Sequence, residues 1–181
     1  LIKLVNREAR RVQFLMDSDR LTAVDKALFT ALLDREMEED TLVSSIQELT
    51  ELLEIHFNQK VIVLIDEYDV PLAKANQNGY YDKMVLLLRN FLENVLKTNE
   101  SLEFAVLTGC LRIAKESIFT GLNNFKVYSI TDADYDEMFG FNDKEVKEML
   151  LTFDQQEKYD EVKEWYDGYR FGNADVYCPW D

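Results

Sequence analysis

The stretch Val61-Ile62-Val63-Leu64-Ile65-Asp66-Glu67-Tyr68-Asp69 decides how the rest of the chain is read. Its five leading aliphatic residues predict a strand over 61–65, buried on both faces of a parallel sheet. Two carboxylates, Asp66 and Glu67, follow at once, at the C-terminal end of that strand. In open α/β sheets this is the edge where ligands bind. Consecutive acids there suit chemistry on a phosphoryl group. The first helps to hold Mg²⁺ against the β- and γ-phosphates. The second orients and deprotonates a water for in-line attack. The plainer alternative is a solvated acidic turn after a strand.

Residues 102–107 predict a second buried strand, closed by Thr108-Gly109. Between the two strands, residues 80–97 predict a long helix with a wide apolar stripe (Met84, Leu87, Leu88, Phe91, Leu92, Val95, Leu96), suited to packing on a sheet. Strand, long helix and strand make a right-handed parallel crossover. Pro71 marks the exit from the acidic turn, and Asn76, Asn78 and Gly79 read as a loop. A third strand is expected over 125–130. Thr108 places a hydroxyl at the end of the second strand, where it can contact a γ-phosphate or the attacking water. Arg112 follows one turn later. Its guanidinium suits developing phosphoryl charge, and equally a salt bridge to Asp66, Glu67 or Asp69; both readings stand. Asp69 is expected to cap the turn or to orient Arg112 or a metal-bound water, Tyr68 to pack, and Cys110 to be a small buried residue with no base to activate it. Lys115 and Glu116 read as a solvated pair. An apolar strand ending in Asp-Glu is the Walker B pattern of P-loop NTPases, yet none of the six glycines begins the partner motif G-x-x-x-x-G-K-[ST].

The first sixty residues read as helices. Ile2, Val5, Ala9, Val12 and Met16 recur at helical spacing. Thr22 caps a second helix with Val24, Leu28, Ala31 and Leu32 inward. A third, over 41–57, buries Leu42, Ile46, Leu49 and Leu53 and carries His56 in its last turn, facing the helix dipole. Beyond 130, Asn142 caps a short helix with Val146, Met149 and Leu150, and another runs over 154–166 towards Gly168. The aromatic tail (Trp165, Tyr166, Tyr169, Phe171, Tyr177, Trp180) lies among acids, so it reads as a packed aromatic turn; base-stacking platforms lie in basic grooves.

The chain has 181 residues, 35 acids against 20 bases and a net charge of −15. That balance argues against a general nucleic-acid or anionic-membrane surface. Two cysteines make neither a disulfide framework nor a zinc-ligand set. With no signal peptide and no apolar run of membrane-spanning length, the expected compartment is the cytoplasm. An opening Leu1 already in helical rhythm, and a tail that stops without a terminating element, are expected of an internal fragment.

Four segments together resemble the bacterial AAA-ATPase-like family: 61–72 (VIVLIDEYDVPL), 102–128 (LEFAVLTGCLRIAKESIFTGLNNFKVY), 135–146 (YDEMFGFNDKEV) and 165–180 (WYDGYRFGNADVYCPW). The resemblance runs from about residue 42 onward. It implies kinship with AAA+ and STAND NTPases, a phosphate-binding loop upstream of the first helices here, and a PD-(D/E)xK nuclease-like domain after the tail. It carries Asp66 and Glu67 over as Walker B, and Thr108 with Arg112 as the sensor region. The turn Phe139-Gly140-Phe141 would open a helical, lid-like part.

The expectation is therefore an α/β chain: a partial three-layer P-loop NTPase-type parallel sheet with helical N-terminal and C-terminal parts. Residues 1–130 would be the partial core and 131–181 the lid-like part. ATP and Mg²⁺ would be the ligands, with Asp66 on the metal, Glu67 as base, Thr108 on the γ-phosphate and Arg112 on phosphoryl charge. The function would be that of a nucleotide-dependent switch. The rival is a non-catalytic scaffold with a degenerate ATPase fold, serving a fused nuclease-like domain or a protein partner. A metal-dependent nuclease built on Asp66 and Glu67 is the weakest reading, because such sites place their acids on neighbouring strands beside a lysine.

Overall fold

Two helix starts, one in each half of the chain, are written by reciprocal caps. Thr22 accepts the Asp25 N–H at 3.2 Å while the Asp25 carboxylate accepts the Thr22 N–H at 2.7 Å. Asn142 and Glu145 repeat the arrangement at 2.9 and 3.0 Å. Each pair satisfies amides that a helix start leaves without partners. The computed structural model describes residues 1–110, 118–119, 122 and 126–178. It is 54% helix and 12% strand, and its contacts divide the chain into Leu1–Asn124 and Phe125–Asp181.

In the first unit the order is α1 (Ile2–Arg11), a 3₁₀ turn (Gln13–Asp17), α2 (Ala23–Leu32), α3 (Glu39–Phe57), β1 (Val61–Ile65), α4 (Val70–Gln77), α5 (Tyr81–Leu96) and β2 (Leu102–Leu107). The core gathers Val5, Ala9, Leu15, Phe29, Leu32, Leu42, Leu49, Leu52, Leu72, Leu88, Phe91, Leu92 and Val95. The stripe on α5 is buried much as its spacing predicts. On α2 the inward face differs: Phe29 and Leu32 are buried, while Val24, Leu28 and Ala31 are exposed. The helix is apolar on two sides, and the side carrying the larger phenylalanine is the one turned to the core. Asn6 fastens α1 there, its buried amide donating to Leu32 O at 2.7 Å and Asp34 O at 2.9 Å.

Strands β1 and β2 pair in parallel, from Val61 opposite Leu102 to Ile65 opposite Leu107, with one irregularity between Val61 and Ile62. Helix α3 contacts β1 and α5 contacts β2. Val63, Ile65 and Leu107 pack on the core beneath. The opposite face corrects the expectation of burial on both sides. There Ile62 (51% exposed), Leu64 (73%), Phe104 (50%) and Val106 (44%) stand open, because within this unit the described helices cover the other face.

Two more expectations change. Pro71 begins a helix instead of marking an exit from the turn. A proline in the first turn gives up only an amide that has no helical partner, so residues 70–77 form α4 and Asn76 lies inside it. The third strand is not observed either. Phe125 lies outside the described residues, and 126–130 carry no strand. Local polar bonds bend this segment. Asp132 accepts the Ser129 N–H at 2.6 Å, Lys126 donates to Asp134 at 2.8 Å, and the Tyr128 and Tyr135 rings meet edge to face.

The second unit is less helical than expected. It holds β3 (Phe141–Asn142), α6 (Asp143–Thr152), a 3₁₀ turn (Gln156–Lys158), α7 (Tyr159–Tyr166), β4 (Tyr169–Phe171) and β5 (Ala174–Tyr177). The aromatic tail forms strands, not only a turn, in an antiparallel sheet of order β3-β5-β4. Gly140 (φ 82°) is needed at its entry, where an added Cβ would stand 2.8 Å from the Tyr177 carbonyl oxygen. No helix among the described residues is long and apolar enough to cross a membrane.

Candidate functional site

The parallel register delivers Asp66 and Thr108 side by side. Ile65 and Leu107 are the last paired residues. The ladder then runs one step further: Thr108 N–H donates to Ile65 O at 2.9 Å and Tyr68 N–H donates to Thr108 O at 3.1 Å. The Thr108 hydroxyl donates to Asp66 Oδ1. Both side chains are exposed at the carboxyl edge of the sheet, the edge at which open α/β sheets bind ligands.

Glu67 turns the chain. Its φ is 53°, a left-handed conformation that costs a residue with a Cβ roughly 1–3 kcal/mol. The turn lets Val70 N–H reach Glu67 O at 3.1 Å and start α4 directly behind the acids. The Glu67 carboxylate is exposed, and no side-chain hydrogen bond or ion pair holds it among the described residues. A carboxylate kept free on a strained turn is available to a water or a ligand. Strain of this kind persists where the surroundings fix it.

For Asp69 the expectation is a cap on the turn, or a role in orienting Arg112 or a metal-bound water; Arg112 lies outside the described residues. Asp69 is the N-cap residue of α4 by position, but no amide of that helix bonds to its side chain. The carboxylate is buried, 4% exposed, and its Oδ1 accepts the Cys110 N–H at 3.3 Å. Cys110 itself is exposed, against the expectation of a buried residue: it lies past the end of β2, and its contribution is its backbone amide. Gly109 makes this approach possible. An added Cβ would lie 2.7 Å from Asp69 Oδ1 and 2.7 Å from the Tyr68 ring. Tyr68 packs edge-on against Phe119, at 5.4 Å between ring centres. Sequence reasoning gave Gly109 no role beyond ending a strand. The available signal was a glycine one residue after a strand end, which marks close backbone approach.

Arg112, Lys115 and Glu116 lie outside the described residues. His56 has a structural setting: its Nδ1 is 2.8 Å from Ser18 Oγ, its ring meets those of Phe14 and Phe57, which also touch each other, and its carbonyl accepts from Arg20. Among the described residues no three His, Cys, Asp or Glu side chains gather as a metal cage. The donors present, two exposed carboxylates and a hydroxyl, suit a hard cation held mostly by water and phosphate oxygens, which is how Mg²⁺ is commonly bound.

A protein family described as "Predicted AAA-ATPase" matches residues 5–119. The match takes in α1 and α2, upstream of the resemblance, and stops short of residues 120–181. A curated relative, "Uncharacterized protein in vnfD 5'region" of Azotobacter chroococcum mcd 1, is 30% identical over 132 residues, covering 68% of this chain. The chain spans about a quarter (24%) of that relative's length. No solved structure matches.

Proposed function

The chain belongs to the AAA-ATPase-like family, and from that premise we propose that its strand ends form the hydrolytic half of a Mg-ATP site that works as a nucleotide-dependent switch. The observation that carries the reading is the Thr108–Asp66 hydrogen bond at the shared carboxyl edge of two parallel strands, with an exposed Glu67 carboxylate one residue on that has no side-chain partner among the described residues. Asp66 would hold Mg²⁺ through water. The cation bridges phosphate oxygens and offsets the charge that develops in transfer. Glu67 would accept a proton from the attacking water, and Thr108 would meet the γ-phosphate. Arg112 remains a proposal for charge stabilisation, from its residue type and place in the sequence. The backbone amides and lysine of a phosphate loop would be contributed by polypeptide other than these residues, since no G-x-x-x-x-G-K-[ST] occurs among them.

The rival reading is a scaffold that keeps the fold without the reaction. Glu67→Gln, made in the protein as its gene encodes it, separates the two. Turnover of Mg-ATP should fall about 10²-fold while ATP binding is retained, the usual scale for a lost general base. Unchanged turnover would remove Glu67 from the chemistry, and an absence of ATP binding in the unsubstituted protein would favour the scaffold.

A further inference from the structure

Asp69 is the one acid of the turn that the proposed chemistry leaves unused, and its placement is unusual. An aspartate at the N-cap position ordinarily accepts an amide of its own helix. Here the side chain turns away from α4 and across to the other strand end, where it takes the Cys110 N–H. Burial makes such a bond matter, since a carboxylate withdrawn from water needs donors. Gly109 passes beneath it with no room for a Cβ. Among the described residues, bonds that engage main-chain atoms tie the two strand ends: Ile65 to Thr108, Thr108 to Tyr68, and the Asp69 side chain to the Cys110 amide. Thr108 lies within these ties, and its hydroxyl reaches Asp66.

We propose that Asp69 is a positioning residue: its carboxylate latches the turn after β2 to the turn after β1 and so sets where the Thr108 hydroxyl stands relative to Asp66. The role in ligand discrimination rests on the nucleotide reading above. A displaced Thr108 would lose the γ-phosphate and leave the contacts of a diphosphate alone. The latch therefore acts on the preference for ATP over ADP and leaves general nucleotide affinity alone.

The test compares Asp69→Asn, which keeps an oxygen acceptor in the same shape, with Asp69→Ala, which removes it, in the protein as its gene encodes it. Dissociation constants for Mg-ATP and Mg-ADP are measured by titration calorimetry, and amide exchange is followed at residues 108–110. Asp69→Ala should cut the ATP-over-ADP preference about fivefold or more, leave Mg-ADP affinity within about twofold, and speed exchange at Cys110; Asp69→Asn should stay near wild type. Equal loss of both nucleotides in Asp69→Ala, retention of the preference, or an asparagine variant as impaired as the alanine one would each overturn the proposal. Where Asp69→Ala does not fold, Gly109→Ala takes its place, because its methyl group crowds the same carboxylate; an unchanged preference there overturns the proposal as well. A wild-type protein that binds neither nucleotide sinks the nucleotide reading by itself. The latch is then judged by exchange alone, upheld if Cys110 loses protection in Asp69→Ala and overturned if it does not.

Discussion

Each unit of the chain holds one prominent aspartate near tyrosine and hydroxyl partners, and the two are treated in opposite ways. In the second unit Asp143 is saturated by its own chain. Tyr159 and Tyr177 donate to Oδ1 at 2.5 and 2.9 Å, and Lys147 donates to Oδ2 at 2.6 Å. Its carboxyl is pulled down to about 2, first by the Lys147 bond and then by Tyr159. In the first unit Asp66 accepts from Thr108, and Glu67 beside it stands exposed on a left-handed backbone. A saturated acid contributes to folding and has little left to offer a ligand. An acid that is exposed, under-bonded and strained lowers stability locally, which marks it as a candidate for function.

Removing each aspartate in turn should produce opposite losses. Asp66→Ala should weaken Mg-ATP binding at least about tenfold in the protein as its gene encodes it, with little change in unfolding, because the residue is exposed. Asp143→Ala should do the reverse. It leaves the buried Tyr177 hydroxyl, whose ionisation is pushed up mainly by burial, with the long 3.5 Å contact to the Tyr159 hydroxyl in place of a carboxylate, and should cost about 1–3 kcal/mol in urea unfolding while leaving nucleotide binding alone. If Asp143→Ala weakened binding as Asp66→Ala does, the division between structural and available acids would not hold.

A smaller effect is expected at Glu67. Glycine adopts φ 53° without the steric cost, so Glu67→Gly should raise the unfolding free energy by up to about 1 kcal/mol while slowing turnover about 10²-fold or more. A destabilised Glu67→Gly would show that the carboxylate makes a stabilising contact, and that the turn is not a store of strain.

What was legible in the sequence follows the range of the interactions. The capping boxes at Thr22 and Asn142, the long helices α3 and α5, and the parallel β1–β2 pair are written in local spacing. So was the meeting of Asp66 with Thr108, since residues that end adjacent parallel strands must lie together. The misread parts depend on what stands opposite. The alternation in 125–130 looks like a strand until Ser129–Asp132 and Lys126–Asp134 close a polar loop. The run 61–65 looks buried on both faces, but a sequence run does not say which face a helix will cover. Pro71 reads as a breaker in one register and as a helix start in another. The Asp69–Gly109–Cys110 approach joins residues 40 or more positions apart, with no local pattern to announce it.

The smallest effect should come from acid titration, and its sign is fixed by the direction of the shift. Asp143 titrates near 2 in the folded chain against an ordinary 3.8. A group whose folded value is depressed contributes stability that is complete above the unfolded value and is lost as pH falls through the folded one. Asp143 should therefore support the second unit fully above about pH 4 and progressively less between pH 4 and 2. The amplitude is modest because Asp143 is only half-buried and Lys147 is exposed, so water screens the pair. Asp143→Asn retains an acceptor for one tyrosine but carries no titrating charge. The difference in urea midpoint between wild type and Asp143→Asn, followed by the fluorescence of Trp165 in the same unit, should shrink as pH drops from 4 to 2. A difference that stays constant across that range would mean that the tyrosine bonds, and not the charge on Asp143, hold the cluster, and the second acid would then be saturated by shape alone.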